Sequence, residues 1–312
     1  MQKHANETYD VVIVGGGPAG LNAALVLGRS RRSVLVIDEE LPRNRVTRES
    51  HGFLTRDGIA PAEFRRIAKE QILKYPSVTF QSDIVKSATG RDGDFHLHLE
   101  SSEVVVRSRK ILFATGMKDV LPDIDGLSEV YGTSAFVCPF CDGWELRDKQ
   151  ISVIAPNDLS LHFVKMISGW TKHLTLLTQG SPFLSPDQHS EIQLHGIVVI
   201  EDEIKRIESL KGYVNHITFR SNPPVKCEGI FFLPTLIQST DVSEKLGCVL
   251  SGNGPVMEID TDTMGRTNVS GVYSAGDASG APFQLISAAS SGATAAAAIQ
   301  LDLLDAEWNR IQ

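Results

Sequence analysis

The sequence has 312 residues, of which 42% are hydrophobic and 22% charged, and it carries four cysteines and a formal net charge of -8. This length predicts two domains with ordinary hydrophobic cores, and the composition excludes a disordered chain or a small disulfide scaffold. The net negative charge would repel a phosphate backbone, which argues against nucleic-acid binding.

The amino-terminal residues lack the apolar core of a secretory signal, and no apolar run reaches the roughly 18 residues that a membrane-spanning helix needs. We therefore expect a cytoplasmic protein with no membrane partner. In that reducing compartment, two cysteines three positions apart indicate redox chemistry or metal binding rather than a structural disulfide.

The first predicted elements form a strand, a glycine turn, a helix and a second strand, at residues 10–15, 18–29 and 33–38. This order is what a parallel, doubly wound sheet requires. A helix is predicted from Pro61, because apolar residues recur there at helical spacing. Further strands are predicted at residues 78–80, 95–99 and 110–114.

The same pattern begins again after Gly116. Strands are predicted at residues 150–155, 173–178 and 196–200, and a helix at 159–170. From about Gly247 the chain turns to glycine-rich loops and then to a long helix of small residues over 284–304. We therefore predict a first domain built from both ends of the chain, with a second domain inserted.

The turn after the first strand is a strong cofactor signal. It reads Gly-Gly-Gly-Pro-Ala-Gly at residues 15–20, and Asp38 follows 18 residues later at the end of the next strand. Such glycines allow backbone N–H groups to approach a pyrophosphate, and the carboxylate can hold ribose hydroxyls. A glycine turn that binds nothing is the alternative, and the full context disfavours it. The predicted contacts are Gly15, Gly17, Pro18, Ala19, Gly20 and Asp38.

Residues 271–277 read Gly-Val-Tyr-Ser-Ala-Gly-Asp. This segment resembles the strand and turn that end the FAD domain of glutathione-reductase-like flavoproteins. The resemblance implies that Asp277 faces the ribityl and phosphate region, and it favours FAD over NAD. A helix cap is a second possible role for Asp277.

Cys138 and Cys141 form a Cys-x-x-Cys motif with Pro139 and Phe140 between them. At a helix start, this spacing puts both sulfurs on one side, and the helix dipole can lower a thiol pKa. A zinc site would need two further ligands, whereas the other two cysteines stand alone in the sequence. We therefore favour a redox-active pair and predict no metal.

Together these segments resemble the low-molecular-weight thioredoxin reductases over nearly the whole chain. The resemblance implies bound FAD and a homodimer. It implies that Cys141 exchanges electrons with the flavin, that Cys138 attacks the partner, and that Asp142 donates or accepts a proton. Further cofactor contacts implied by the resemblance are Asn44, Gly116, Gln284 and Ile286.

Residues 42–44, 50–53 and 56–58 look more like the dithiol oxidases that close disulfides in gliotoxin and holomycin. Those relatives often carry a histidine after the second cysteine, where this chain has Asp142, and the difference weakens the transfer of their activity. His51 is a candidate base near the flavin. A hydrogen-bonding or surface role is the alternative for this histidine.

NADPH-using members carry a second glycine-rich turn at the start of the inserted domain. Here residues 156–161 read Pro-Asn-Asp-Leu-Ser-Leu, without glycine. Pro156 removes a backbone donor, Asn157 adds bulk, and Asp158 would repel a pyrophosphate. Residues 177–180 also lack the arginines that hold a 2′-phosphate. We expect poor use of NADPH and NADH, with a degenerate but functional site as the alternative.

We therefore predict an α/β protein of two Rossmann-type domains, an FAD domain at 1–118 and 247–312 and an inserted redox-cysteine domain at 119–246. The predicted reaction is dithiol–disulfide exchange with a small dithiol or a thioredoxin-like protein, with oxygen or a ferredoxin as electron partner. The alternatives are an NADPH- or ferredoxin-dependent thioredoxin reductase and a flavin redox sensor without turnover.

Overall fold

The computed structural model describes residues 8–101, 103–157, 159–181, 184–252, 256–280 and 282–309. The chain divides into two compact units. The first unit contains the described parts of 1–45, 53–119 and 236–312, and the second contains those of 46–52 and 120–235.

The strands are β1 (Thr8–Val14), β2 (Val34–Asp38), β3 (Val78–Ser82), β4 (Val85–Arg91), β5 (Asp94–Leu99), β6 (Val105–Phe113), β7 (Met117–Val120), β8 (Ala135–Phe136), β9 (Ile151–Ile154), β10 (Leu174–Leu177), β11 (Val198–Ile200), β12 (Ile204–Leu210), β13 (Tyr213–Phe219), β14 (Val225–Lys226), β15 (Gly229–Phe232), β16 (Thr235–Gln238), β17 (Leu250–Ser251), β18 (Glu258–Ile259) and β19 (Val272–Ser274). The helices are α1 (Pro18–Arg29), α2 (Pro61–Ile72), α3 (Leu127–Val130), α4 (Pro139–Asp142), α5 (Ser160–Ile167), α6 (Pro186–Leu194), α7 (Val242–Lys245) and α8 (Leu285–Asn309). Two 3-10 turns span Arg43–Val46 and Gly276–Ser279.

The first unit is built on a seven-stranded sheet in the order β3-β2-β1-β6-β5-β4, with β19 also pairing with β6. Strands β1, β2, β3, β6 and β19 pair in parallel, whereas β4, β5 and β6 pair antiparallel in sequence order. This is the parallel arrangement that the strand–turn–helix–strand pattern predicted.

Helices α1 and α8 pack together over one face of this sheet. They approach closely at Gly292, where a side chain would not fit: a Cβ there would lie 2.1 Å from the Ala19 carbonyl oxygen. The Asn22 Nδ2 also donates to the Ala289 carbonyl at 2.7 Å. The start of α1 is therefore held by the last helix.

Residues 236–246 belong to the first unit, although we predicted them in the inserted domain. Val242 is buried in the cluster that covers the other face of the large sheet, together with Phe95 and Cys248. The chain therefore re-enters this core at Leu236 rather than at 247. The short strands β7 and β16, at the two crossings between the units, pair with each other.

The second unit has a five-stranded parallel sheet in the order β11-β10-β9-β15-β8 and a separate antiparallel sheet of β12, β13 and β14. β9 is buried throughout, with Phe163 and Ile167 of α5 in the same core. These parallel sheets agree with the predicted α/β class.

Residues 46–52 pack in the second unit, whereas the prediction placed them in the FAD domain. A Cβ at Gly132 would lie 2.5 Å from the Val46 carbonyl oxygen, and the Arg48 guanidinium stacks 5.5 Å from the centre of the Tyr213 ring. His51 is therefore carried by the unit that contains the cysteine pair.

Within the residues that the structure describes, no helix is long and apolar enough to cross a membrane.

Candidate cofactor site and dithiol site

The glycine turn between β1 and α1 is packed too tightly for side chains at two positions. Gly15 has φ +106°, and a Cβ there would lie 2.3 Å from the Ala114 carbonyl oxygen. A Cβ at Gly20 would lie 2.0 Å from the Gly15 carbonyl oxygen. Only glycine fits these positions, so the chain turns sharply enough to start α1 directly after the strand.

The amino terminus of α1 is open. Pro18 is the first helical residue, and Gly17 precedes it in an extended conformation with φ -76°. Apart from Gly17 and its two chain neighbours, no described residue has an atom within 4 Å of the position that a Gly17 Cβ would take. The first N–H groups of α1, including that of Ala19, therefore border open space in which an anion can bind.

Asp38, the last residue of β2, lies against this turn. A Cβ at Gly16 would be 2.6 Å from Asp38 Oδ2, so the carboxylate touches the glycine backbone. The Arg65 guanidinium forms an ion pair with Asp38. No local signal indicates Arg65 as the partner of Asp38, since it lies 27 residues further along the chain.

The segment around Asp277 meets the start of α1. A Cβ at Gly276 would lie 2.9 Å from the Ala19 Cβ, and the Gly276 N–H donates to Ser291 Oγ at 2.8 Å. Burial raises the pKa of the Asp277 carboxyl, whereas Arg43, 3.6 Å away, lowers it. Two segments more than 250 residues apart in the chain are thus neighbours in the first unit.

The other predicted cofactor residues lie on three segments of the same unit. Asn44 is in the 3-10 turn after β2. Gly116 has φ +65°, and, apart from its two chain neighbours, the described structure places no atom within 4 Å of its Cβ position. Gln284 is exposed just before α8, and Ile286 is 43% exposed in its first turn.

These residues fit FAD. The buried Thr115 Oγ1 has no hydrogen-bond partner among the described residues. Thr115 adjoins the glycine turn, since its backbone nitrogen would lie 3.1 Å from a Cβ at Gly15. An unpartnered hydroxyl, an open helix terminus and a carboxylate at the end of β2 are the groups that a bound dinucleotide needs.

Cys138 and Cys141 lie at the single-turn helix α4. Cys138 is the extended residue before the helix, and its carbonyl oxygen accepts from the Cys141 and Asp142 N–H groups at 3.1 and 3.2 Å. The two Sγ atoms are 2.7 Å apart. Because a disulfide bond measures about 2.05 Å, the pair can close with little movement of the backbone.

Asp142 follows directly in the second unit. Burial, together with the charges of Cys138 and Glu145, raises the pKa of its carboxyl to about 7. Both protonation states are therefore populated near neutral pH, which suits proton donation to a thiolate and proton removal from a thiol.

His51 is brought close to the end of the cysteine motif by the packing of residues 46–52. Its Nε2 lies 3.7 Å from Glu145 Oε1 and 3.7 Å from Glu49 Oε2, and its side chain is 17% exposed. Glu145 thus neighbours both His51 and Asp142. In the sequence, the only indication that Glu145 belongs to this site is its position three residues after Asp142.

Two exposed aromatic side chains flank the cysteine pair. Phe140 is 62% exposed and meets Trp170 edge-on at 5.5 Å, and Trp144 is 64% exposed beneath the Arg147 guanidinium at 4.2 Å. The dithiol therefore lies on an apolar surface of the second unit.

The turn between β9 and α5 uses its own side chains to satisfy its backbone. Asn157 Oδ1 accepts from the Leu159 N–H at 3.0 Å, and Ser160 Oγ donates to the Asn157 carbonyl at 2.5 Å and to the Ala155 carbonyl. After β10, Gln179 Oε1 accepts from the Ile204 N–H at 2.6 Å. Asp158, which we expected to repel a pyrophosphate, lies outside the described residues.

Cys227 and Cys248 are buried, and burial raises the pKa of both thiols. They behave as packing residues, because the reactive form of cysteine is the thiolate. Over the described ranges, no group of three or more histidine, cysteine, aspartate or glutamate side chains could hold a metal ion.

The family model and the individual relatives that match this chain indicate the same family. The model of the pyridine nucleotide-disulphide oxidoreductases matches residues 9–293. Thioredoxin reductase sirT of Leptosphaeria maculans is 27% identical over 96% of this chain and 95% of its own length. A match to an Arthroderma benhamiae relative is 39% identical but covers only 38% of that protein, so relatives differ in how much of their length this chain spans.

Two solved structures match this fold over nearly the whole chain. A Bacillus anthracis protein assigned as a thioredoxin reductase is 38% identical with a TM-score of 0.91, and the match covers 96% of this chain and 99% of that one. HlmI is 29% identical with a TM-score of 0.90, covering 97% and 95%. These likenesses confirm the predicted fold class and FAD as the cofactor. The chain belongs to the pyridine nucleotide-disulphide oxidoreductase family and is a thioredoxin-reductase-like, FAD-dependent disulfide oxidoreductase.

Proposed function

We propose that Cys138 and Cys141 carry two electrons between FAD and the sulfur atoms of a dithiol or disulfide substrate, and that NADPH takes no part. The observation that carries this proposal is the pair of sulfur atoms 2.7 Å apart beside a carboxyl whose pKa is about 7.

In the reducing direction, the Cys138 thiolate attacks one sulfur of the substrate disulfide, and a mixed disulfide forms as the first substrate thiolate leaves. The Cys141 thiolate then attacks the Cys138 sulfur and releases the second substrate thiolate. The substrate gains two electrons, and the enzyme pair loses two as its disulfide forms. The oxidising direction reverses each step.

Asp142 is the proposed proton carrier for these steps. In its protonated form it donates to a leaving thiolate, and in its ionised form it takes the proton from an attacking thiol. His51 is a second candidate, and its Nε2 lies 3.7 Å from a carboxylate oxygen of each of Glu145 and Glu49.

FAD, when bound, supplies a two-electron store that restores the cysteine pair. In the proposed site, the N–H groups after Gly17 hold the diphosphate and Asp38 holds the ribose of the adenosine. Asp277, Gly116, Asn44 and the start of α8 hold the ribityl and flavin side. The first unit is accordingly the proposed FAD domain, and the second is the redox-cysteine domain with a degenerate nucleotide site.

The turn between β9 and α5 supports a reaction without NADPH, since Asn157 Oδ1 already accepts from the Leu159 N–H at the start of α5 and Pro156 has no N–H to donate to a pyrophosphate. Oxygen would then accept electrons in a dithiol oxidase, or a ferredoxin would donate them in a disulfide reductase. The substrate is a small dithiol or disulfide, or a thioredoxin-like protein. We further propose a cytoplasmic homodimer. An NADPH- or ferredoxin-dependent thioredoxin reductase is the second candidate.

An anaerobic titration that follows flavin absorbance tests the proposal, with dithiothreitol, NADPH and a reduced ferredoxin added in turn. Dithiothreitol should bleach the wild-type flavin, and Cys138→Ser and Cys141→Ser should both abolish substrate exchange. On reduction, Cys138→Ser should show long-wavelength absorbance, because Cys141 is the proposed flavin-side thiolate. If only Cys141→Ser shows it, the two roles are reversed.

A flavin redox sensor without turnover is the candidate from another class. It would share the cysteine pair and the cofactor but would not consume substrate. Steady oxygen uptake with a dithiol in excess over enzyme excludes the sensor, and a single stoichiometric oxidation without further uptake excludes the oxidase.

A further inference from the structure

Arg43 joins two carboxylates within the first unit. Its Nε and Nη2 donate to the two carboxylate oxygens of Asp119, each at 2.8 Å, and the Asp119 side chain is only 4% exposed. Such a two-point contact fixes the orientation of the guanidinium as well as its position. The 3-10 turn after β2 is thereby tied to the end of β7.

The same guanidinium also reaches the segments that precede α8. Its Nη1 is 3.6 Å from Asp277 Oδ2, and its Cζ is 5.7 Å from the centre of the Phe283 ring. Phe283 directly precedes Gln284 in the chain. One side chain thus contacts three separate segments besides its own.

The charges explain why this position needs an arginine. A buried carboxylate such as Asp119 is costly unless a cation pairs with it. At Asp277, burial and the charge of Asp119 both raise the pKa, and Arg43 opposes them. Arg43 therefore helps to keep Asp277 ionised and able to accept hydrogen bonds from a ligand.

We propose that Arg43 is a positioning residue for the ribityl and flavin half of FAD. The four segments that it joins are those that carry Asn44, Gly116, Asp277 and Gln284, and the inference rests on the proposed location of the cofactor site. The adenosine half has its own arginine, since Arg65 pairs with Asp38. Loss of Arg43 should therefore weaken one half of the site and spare the other.

The experiment compares Arg43→Met and Arg43→Lys with Arg45→Met as the matched control. Arg45 is an exposed arginine of the same turn, and its guanidinium donates to the Leu41 and Pro42 carbonyl oxygens at 3.5 and 3.1 Å. The dissociation constant of FAD is measured from the flavin fluorescence released when each holoprotein is diluted. ADP binding is measured by thermal shift after removal of FAD.

Arg43→Met should raise the dissociation constant of FAD about 30-fold or more, because a desolvated, charge-assisted contact is lost. ADP affinity should stay within about threefold, since ADP probes only the adenosine half. Arg43→Lys should give an intermediate FAD affinity, because lysine keeps the charge but cannot make the two-point contact with Asp119. Arg45→Met should match the wild type.

Two results would overturn the inference. If Arg43→Met lowers thermal stability but leaves FAD affinity unchanged, Arg43 only supports the fold. If it weakens ADP and FAD equally, it does not act on the flavin half. Gly17→Asp tests the site itself: unchanged FAD affinity there would show that the proposed location is wrong, whatever Arg43→Met does.

Discussion

The two units each contain a strand that runs into a helix through a short turn, and the two turns treat the helix amino terminus in opposite ways. Between β1 and α1, apart from the two chain neighbours of Gly17, the structure places no described atom within 4 Å of a Gly17 Cβ position, so the turn leaves the terminus open. Between β9 and α5, Asn157 and Ser160 make hydrogen bonds with the backbone of the turn itself.

A parallel strand and helix create a phosphate site only if the turn between them is bare. Side chains that improve the local stability of the turn remove that site, because they occupy the same donors and the same space. Under the proposed function, this difference assigns nucleotide binding to the turn between β1 and α1 and structural support to the turn between β9 and α5.

The largest effect should come from placing a carboxylate in the open turn. Gly17→Asp should abolish measurable FAD binding, a loss of about a thousandfold or more, because the new charge faces the cofactor diphosphate. The fold should survive, since φ at Gly17 is -76° and its Cβ position is open among the described residues. Flavin content after purification and FAD titration measure the effect.

The matched control puts the same group in the turn between β9 and α5. Asn157→Asp should leave flavin content unchanged, because the proposed FAD site includes no residue of the second turn. Loss of FAD from the Asn157→Asp protein would break the comparison between the turns.

The second prediction concerns reduction by nicotinamide nucleotides. Millimolar NADPH or NADH should leave the flavin oxidised under anaerobic conditions, whereas a dithiol should reduce it. The missing donors and added side chains of the second turn should weaken nucleotide binding about a thousandfold relative to a glycine turn. Stopped-flow absorbance measures this, and complete bleaching within about a second by either nucleotide would return the protein to the NADPH-dependent reductases.

Much of the fold was predictable because its signals are local. Helix α1 has the predicted bounds, and β2, β10 and α5 differ from the prediction by a few residues at their ends. The hairpin of β12 and β13 was not predicted. Its turn at Lys211 and Gly212, both with positive φ, was the available signal.

The cofactor segments were predictable from glycines and motif order, but the contacts between them were not. Arg65 pairs with Asp38 across 27 residues, and Arg43 pairs with Asp119 across 76. Such ion pairs depend on which segments the fold brings together, and one sequence carries no local signal for them. The membership of His51 in the second unit has the same cause, since it follows from packing at Gly132.

The third prediction is that pH affects the chemistry of the second unit but not cofactor binding by the first. The pKa of Asp142 is about 7, so its protonated fraction falls from about one half at pH 7 to about one tenth at pH 8. Disulfide reduction that needs this proton should slow by about fivefold from pH 7 to pH 8. Asp142→Asn should be slower at pH 7 and lack this dependence, whereas FAD affinity should stay nearly constant. A wild-type rate that is flat over this range would exclude Asp142 as the donor.

The most local effect should come from a substitution in the turn between β9 and α5. Ser160→Ala removes a buried hydroxyl that donates to the Ala155 and Asn157 carbonyl oxygens, which should cost about 1–2 kcal/mol. Because two units need not unfold together, hydrogen–deuterium exchange of α5 is the suitable measurement, and it should become about 5- to 30-fold faster. Gly17→Ala in the first turn should leave exchange in α1 unchanged, since its Cβ meets open space.

NADPH reduction should not be restored by Ser160→Ala, because Pro156 still removes a donor and Gln179 still occupies the end of β10. Equal exchange rates for wild type and Ser160→Ala would mean that the side chains of the second turn fill it without stabilising it.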